Sequence, residues 1–188
     1  VKIGIISDTH GDHEAWNKAL LVWGDVDVIL HAGDVLYHGP RNQMTSGYDP
    51  KRLAEAINSC KIPIVFTRGN CDSPIDMEVI KKPFNDRYSF IALGGLFIMV
   101  HHGDRFTDAE IKEYIDDYGI DVVVSGHTHV FAVRRMGRAL LVNPGSPSIP
   151  KGSGIPTVGV IENRVVRILD MDGNTLVKEV IGYGGKGE

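Results

Sequence analysis

Five short apolar runs in this chain each lead straight into side chains that can bind a metal. Lys2 to Ser7 runs into Asp8 and His10. Asp27 to His31 leads to Gly33-Asp34, and Ile62 to Thr67 leads to Gly69-Asn70. Leu96 to His101 ends at His102, and Asp121 to Ser125 leads to Gly126-His127-Thr128-His129. Short apolar runs bounded by Gly, Asp and Asn read as buried strands. In α/β proteins, sites form at the carboxyl ends of strands. Taken singly, each signal has an ordinary explanation: an Asp after a strand usually caps a helix, a loop His is usually solvated, and Gly-Asp or Gly-Asn usually marks a turn. His127-x-His129 is stronger, because alternate residues can address one centre. The joint pattern is stronger again, since a ligand type stands at every one of the five ends.

The remaining segments supply the frame. Ala15, Trp16, Ala19, Leu20 and Trp23 have helical spacing, which predicts a helix over Asp12 to Trp23. Asp49 as N-cap with Pro50 at the first helical position starts a second helix that runs to about Cys60. Pro74 to Ile80 reads as a short helix. Thr107 and Glu110 form a capping box opening a helix that reaches Tyr118. Tyr37 to Tyr48 is a long Gly-, Pro-, Asn- and Ser-containing loop. The second half is richer in strand: Arg87 to Leu93 and Leu96 to His101 flank Gly94-Gly95, and Phe131 to Met136 and Arg138 to Val142 meet at Gly137. A meander follows over Thr157 to Glu162, Arg164 to Asp170 and Thr175 to Ile181, with turns at Asn163 and Asp172-Gly173-Asn174. Gly182 to Glu188 is expected to be a frayed, flexible tail. This order predicts an α/β fold with two packed sheets and helices outside. No linker interrupts the 188 residues, so a single domain is expected over 1–188.

Composition narrows the partners. Twenty basic and 24 acidic residues give a formal charge of −4 and no basic stripe, which argues against gripping long nucleic acid. No apolar run is long enough to span a membrane, and no signal-peptide layout is present. Two cysteines, Cys60 and Cys71, do not make a disulfide framework, and a cytoplasmic location is expected.

Asp8-Thr9-His10, Gly33-Asp34, Gly69-Asn70, His102 and Gly126-His127-Thr128-His129 together resemble the calcineurin-like metallophosphoesterase superfamily. Three further stretches are similar to the small bacterial YfcE-like phosphodiesterases within it: His38-Gly39-Pro40-Arg41-Asn42, Arg68-Gly69-Asn70-Cys71-Asp72-Ser73, and Asn143-Pro144-Gly145-Ser146 with Ser148-Ile149-Pro150-Lys151-Gly152. The resemblance spans nearly the whole chain. It implies two packed mixed β-sheets flanked by helices, the metallophosphoesterase-type αββα sandwich. It also implies two divalent metal ions, one held by Asp8, His10, Asp34 and His129, the other by Asp34, Asn70, His102 and His127, with Asp34 bridging. Imidazole and carboxylate ligands suit Mn, Fe, Ni or Zn better than Mg or Ca, and similar proteins favour manganese. The implied activity is hydrolysis of small phosphodiesters by metal-activated hydroxide, since a pair of cations about 3.5–4 Å apart clamps the attacking and leaving oxygens and brings the pKa of water down to roughly 7. Asp34, His10, Asn70 and Cys71 are the expected catalytic group. Similar proteins often self-associate, so a homo-oligomer is an open expectation.

Two positions depart from the family pattern. Where many members carry His after Gly-Asn, this chain has Cys71, a poorer proton donor than imidazolium or simply a small pocket-lining residue. Where His-Gly-His is common, it has His102-Gly103-Asp104, and Asp104 either orients a ligand His or faces solvent. The loop bearing His38, Arg41 and Asn42 either overhangs the metals and touches substrate or is merely solvated. Competing functions on the same scaffold are a phosphomonoesterase or nucleotide pyrophosphatase, and a non-catalytic protein-binding module, as in one eukaryotic retromer subunit. The complete set of ligand types disfavours the last.

Overall fold

The computed structural model describes residues 1–182. In chain order the elements are β1 (Lys2–Ile6), α1 (His13–Trp23), β2 (Val28–His31), α2 (Pro50–Ser59), β3 (Ile64–Thr67), α3 (Pro74–Val79), β4 (Phe84–Asn85), β5 (Tyr88–Leu93), β6 (Leu96–His101), α4 (Asp108–Tyr118), β7 (Val122–Val124), β8 (Ala132–Met136), β9 (Ala139–Asn143), β10 (Thr157–Glu162), β11 (Val165–Asp170) and β12 (Thr175–Val180). The helix starts follow the capping chemistry. Asp12 caps α1 by accepting from the Ala15 amide, Asp49 caps α2 ahead of Pro50, and Thr107 with Glu110 forms the expected box at α4. Strand β11 begins after Arg164 because Asn163 and Arg164 both take the left-handed conformation of a tight turn. Strand β4 was not expected. It is two residues long, so it has no periodicity to read. Parallel pairing with β3 holds it, together with Phe84 stacked on Phe66 at 4.6 Å between ring centroids.

The strands form two mixed sheets. One has the order β12-β11-β10-β1-β2-β3-β4 and the other β5-β6-β7-β9-β8. Within the first, β1, β2, β3 and β4 run parallel; within the second, β6, β7 and β9 do. The sheets face each other across an apolar layer that includes Ile3, Ile5, Leu30, Ile98, Val100, Val122, Val124 and Val142. Helices α1 and α2 cover the outer face of the larger sheet with Trp16, Trp23, Leu53 and Ile57. Helix α4 covers part of the smaller sheet with Ile111 and Ile115. Trp23 shows how closely helix and sheet approach. Its indole donates to the Gly159 carbonyl at 2.8 Å, and a Cβ on Gly4 would sit 3.0 Å from the ring. Glycine inside a strand marks such a contact.

This topology positions the site. Three adjacent parallel strands of one sheet, β1, β2 and β3, and two of the other, β6 and β7, end on the same side of the sandwich, and the five expected ligand segments follow those ends. Of the expected tail, Gly182 is in place, its carbonyl accepting from Arg164 at 2.6 Å; the rest lies outside the described residues. Among the described residues no helix is long and apolar enough to cross a membrane.

Candidate metal centre

Asp8, His10, Asp34, Asn70, His102, His127 and His129 converge. Asp8, His10, Asp34, His102 and His129 are almost fully buried, while Asn70 and His127 are exposed at the rim. His10 Nδ1 donates to the Tyr37 carbonyl at 2.7 Å, and His129 Nδ1 donates to the Ile149 carbonyl at 2.8 Å. Each ring therefore points Nδ1–H at the backbone and turns Nε2 inward. The two Nε2 atoms face each other at 3.1 Å. Asp8 Oδ1 lies 3.4 Å from His129 Nε2 and 3.8 Å from His10 Nε2, buried and without a hydrogen-bond partner. Buried polar atoms are ordinarily satisfied. Three acceptors turned on one another are the donor set of a cation.

The other half is built similarly. His102 Nδ1 donates to the Ala32 carbonyl at 2.8 Å, leaving Nε2 at 3.0 Å from Asn70 Oδ1, 3.4 Å from Asp34 Oδ2 and 3.3 Å from His127 Nδ1. His127 Nδ1 lies 2.7 Å from Asn70 Oδ1. Asp34 Oδ2 is also 3.7 Å from His10 Nε2, so this one oxygen stands between the two halves. Ligand atoms of Asp8, His10 and His129, and separately of Asp8, Asp34 and His102, lie within 4.8 Å of one another. The nitrogen and oxygen donors fit divalent transition metals.

Titration follows the same geometry. Burial lowers His10 below the ordinary imidazole value despite the Tyr37 carbonyl and the two carboxylates. Burial also works against protonated His102, but Asp34 and Asp8 outweigh it and bring His102 to about 9. In the metal-free protein a proton thus stands in for a cation beside Asp34. Burial pushes Asp8 and Asp34 upward, and the facing histidines reverse this, holding both below the usual carboxylate range.

The backbone is strained to achieve this. Non-glycine residues rarely take positive φ. Here Asp8, His10, Asp34, His127 and His129 all do, and among the described residues the only others are Asn163 and Arg164 in their turn. Such strain persists only where surroundings enforce it. The Asp8 carbonyl accepts from Ser146 and Ser148 hydroxyls at 2.7 and 2.9 Å, and Asp8 Oδ2 accepts from the His127 amide at 2.9 Å. Asp72, which the sequence reading left without a role, accepts from the amides of Asp34, Val35 and Gly69 at 2.7 to 2.8 Å and so ties the ends of β2 and β3 together. Burial still raises Asp72 to about 6. The glycines before Asn70 and His127 have a spatial reason: a Cβ on Gly69 would lie 2.2 Å from Asp34 Oδ1, and one on Gly126 would lie 1.8 Å from Ser7 Oγ.

A cleft of about 420 Å³ opens over the cluster, lined by His10, Asp34, Asn70, His127 and His129 and by Arg41, Asn42, Cys71 and Lys151. His38 is not part of that lining; its ring packs between Tyr37 and Tyr48. Cys71 donates its backbone N–H to Asp34 Oδ1 at 2.7 Å, while burial and the Asp34 charge push its thiol up to about 12. The Asp104 side chain is only 17% exposed and lies 3.5 Å from Arg105 Nε, with no hydrogen bond to any of the converging histidines. A slightly larger recess of about 490 Å³ lies behind the Gly126 to Val130 loop and contains none of the seven residues.

The sequence model of the calcineurin-like phosphoesterase superfamily domain matches residues 1–164. The chain belongs to that superfamily. It is 30% identical to the phosphodiesterase YfcE of Escherichia coli K12, over 96% of this chain and 97% of that protein. The solved E. coli YfcE structure superposes with a TM-score of 0.86 at 29% identity, covering 97% of this chain and all of that one. A probable metallophosphoesterase of Methanothermobacter thermautotrophicus is 31% identical over 97% of this chain and 92% of its own. Vacuolar protein sorting 29 of Cryptosporidium parvum, at 18% identity and a TM-score of 0.67, shares the fold. With the superfamily comes the enzymatic class, a metal-dependent phosphoesterase using divalent ions.

Two outcomes follow from this geometry. His102, held at about 9 against an ordinary 6.5, stabilises the metal-free fold fully below about pH 6.5 and ceases to do so as pH rises through 9. Thermal melts with chelator should therefore fall across that interval. Melts with excess manganese should rise, since loading needs the unprotonated ring. Second, Asp72→Ala should weaken metal binding by roughly 10- to 100-fold, as loss of a ligand-orienting partner does; titration with Mn²⁺ monitored by electron paramagnetic resonance measures it.

Proposed function

We propose that this chain hydrolyses small phosphodiesters at a two-cation centre. Asp8, His10, Asp34 and His129 hold one ion and Asp34, Asn70, His102 and His127 the other. The observation that carries this reading is the position of Asp34 Oδ2, 3.4 Å from His102 Nε2 on one side and 3.7 Å from His10 Nε2 on the other. Manganese is the first candidate, with iron, nickel and zinc as alternatives suited to the same donors. When bound, such ions supply Lewis acidity toward phosphoryl oxygens and a hydroxide nucleophile near neutral pH. The diester preference draws support from the likeness to E. coli YfcE, which is named a phosphodiesterase.

The chain's own groups do the remaining work. The Nδ1–H bonds of His10, His102 and His129 to backbone carbonyls fix each ring with Nε2 inward, so no reorganisation is needed on loading. The Cys71 amide anchors Asp34 Oδ1 and leaves Oδ2 free to bridge. Asn70 presents Oδ1 to the cluster and turns its amide NH₂ to Cys71 Sγ at 3.3 Å. The Cys71 thiol retains its proton at neutral pH and offers it to the leaving oxygen as a weak general acid. Arg41 and Asn42 contact substrate from the loop over the cleft. A net charge of −4 leaves attraction of the anion to the centre itself, which suits small substrates rather than long nucleic acid.

Asp34→Asn should lower kcat/KM for bis(p-nitrophenyl) phosphate by more than roughly 100-fold, exceeding the loss of a merely orienting residue; undiminished turnover would remove the bridging role. Cys71→His supplies a better donor, worth about 10²-fold at the low end for general acid catalysis. It should raise the rate on diesters with alkoxide leaving groups far more than on nitrophenyl esters. Equal effects on both would exclude proton donation at this position.

A further inference from the structure

We infer that the cleft carries a second anion subsite, formed by Arg41 and Lys151, and that its preferred diesters bear an additional phosphate monoester on one arm. This deepens, and rests on, the diesterase reading above.

The first observation concerns pairing. The chain has ten arginines. Nine are engaged through their side chains with a carboxylate, a backbone carbonyl or an aromatic ring. Of the arginines, all of them among the described residues, Arg41 alone has no side-chain partner, and it lines the cleft over the converging side chains. Lys151 lines the same cleft and likewise makes no side-chain hydrogen bond or ion pair. An acidic chain that ties down its other arginines leaves these two cations unpaired at one opening.

The second observation is that they stand on separate, anchored walls. Lys151 belongs to the loop between β9 and β10. Its amide donates to the His129 carbonyl at 3.0 Å, and two residues earlier the Ile149 carbonyl holds His129 Nδ1 at 2.8 Å. Arg41 belongs to the loop between β2 and α2. There Asn42 Nδ2 closes on the His38 carbonyl at 2.8 Å, and a side chain at Gly39 would press on Cys71 Sγ at 3.2 Å. The backbone of Lys151 is thus tied to His129, while the loop that carries Arg41 passes Cys71 at Gly39.

Charge decides what they face. The scissile group of a diester is a monoanion, and it is neutralised at the metal centre. Two more cations in the same cleft repel each other and the loaded centre unless a further anion enters. A phosphate monoester brings a charge of about −1.5 to −2 and three acceptor oxygens, enough for both. A guanidinium fork and an ammonium are the usual protein groups for that anion.

The test uses the manganese-loaded full chain and a matched pair of substrates, thymidine 5′-(p-nitrophenyl phosphate) with and without a 3′-phosphate. The leaving group is the same in both. The 3′-phosphorylated ester should show a kcat/KM about tenfold higher or more, the size of one charge-assisted contact. The ratio should fall toward one in Lys151→Ala and in Arg41→Ala. A wild-type ratio near one overturns the proposal. So does an equal loss on both esters in Lys151→Ala, because Lys151 would then grip the scissile phosphate. If neither ester is hydrolysed, the diesterase reading has failed and binding decides the subsite. In calorimetric titration, adenosine 3′,5′-bisphosphate should bind about tenfold tighter than adenosine 5′-monophosphate to the wild type but not to Lys151→Ala; equal affinities overturn it.

Discussion

Mutual repulsion among converged acceptors is the constraint on which the rest of the structure depends. His10 and His129 turn their Nε2 atoms on each other at 3.1 Å with the unpartnered Asp8 Oδ1 beside them. The adjoining half reaches a partial solution by protonating His102 against Asp34, which is why that ring rises to about 9 while buried His10 falls. A group of acceptors held this way is costly without positive charge. It is intelligible as a site built in advance for cations.

Holding it requires scaffolding beyond the ligands. Left-handed backbone at five of the converging positions is compensated by hydrogen bonds that leave little choice of conformation. Ser146 and Ser148 grip the Asp8 carbonyl, Asp72 gathers three amides from the ends of β2 and β3, and Asn143 donates to the Gly126 carbonyl at 2.7 Å, steadying the loop of His127 and His129. Asp72 also explains why Gly69 follows a tight path past Asp34, where a side chain has no room.

Much of this was legible from the residues, for identifiable reasons. Strands such as β2 and β7 are continuous apolar runs, and helices α2 and α4 carry their capping residues in sequence, so their positions follow from local chemistry. The converging segments were visible because each sits immediately after a strand, and the family resemblance proposes how they divide into two sets. Other features lacked a local signal. Strand β4 is defined by a tertiary pairing. Asp72 reads like any turn residue until β2 is seen beside β3. His38 and Lys151 show the same limit from opposite sides. His38 shares a loop with Arg41, yet its ring turns to Tyr37 and Tyr48, whereas Lys151 reaches the cleft from a segment more than a hundred residues away along the chain.

The proposed ligand sets have one further physical consequence. Asp8, His10, Asp34 and Asn70 follow strands of the larger sheet, and His102, His127 and His129 follow strands of the smaller one. Each ion on this assignment takes ligands from both sheets, so loading cross-links the two halves of the sandwich at the end where the apolar layer gives way to polar groups. Direct bonds already span that seam: the His127 amide to Asp8 Oδ2, and His102 Nδ1 to the Ala32 carbonyl. The ions therefore enter a joint whose geometry is set before they arrive. Their binding energy goes into closing the seam rather than ordering it, and metal affinity and fold stability become two measures of the same contacts.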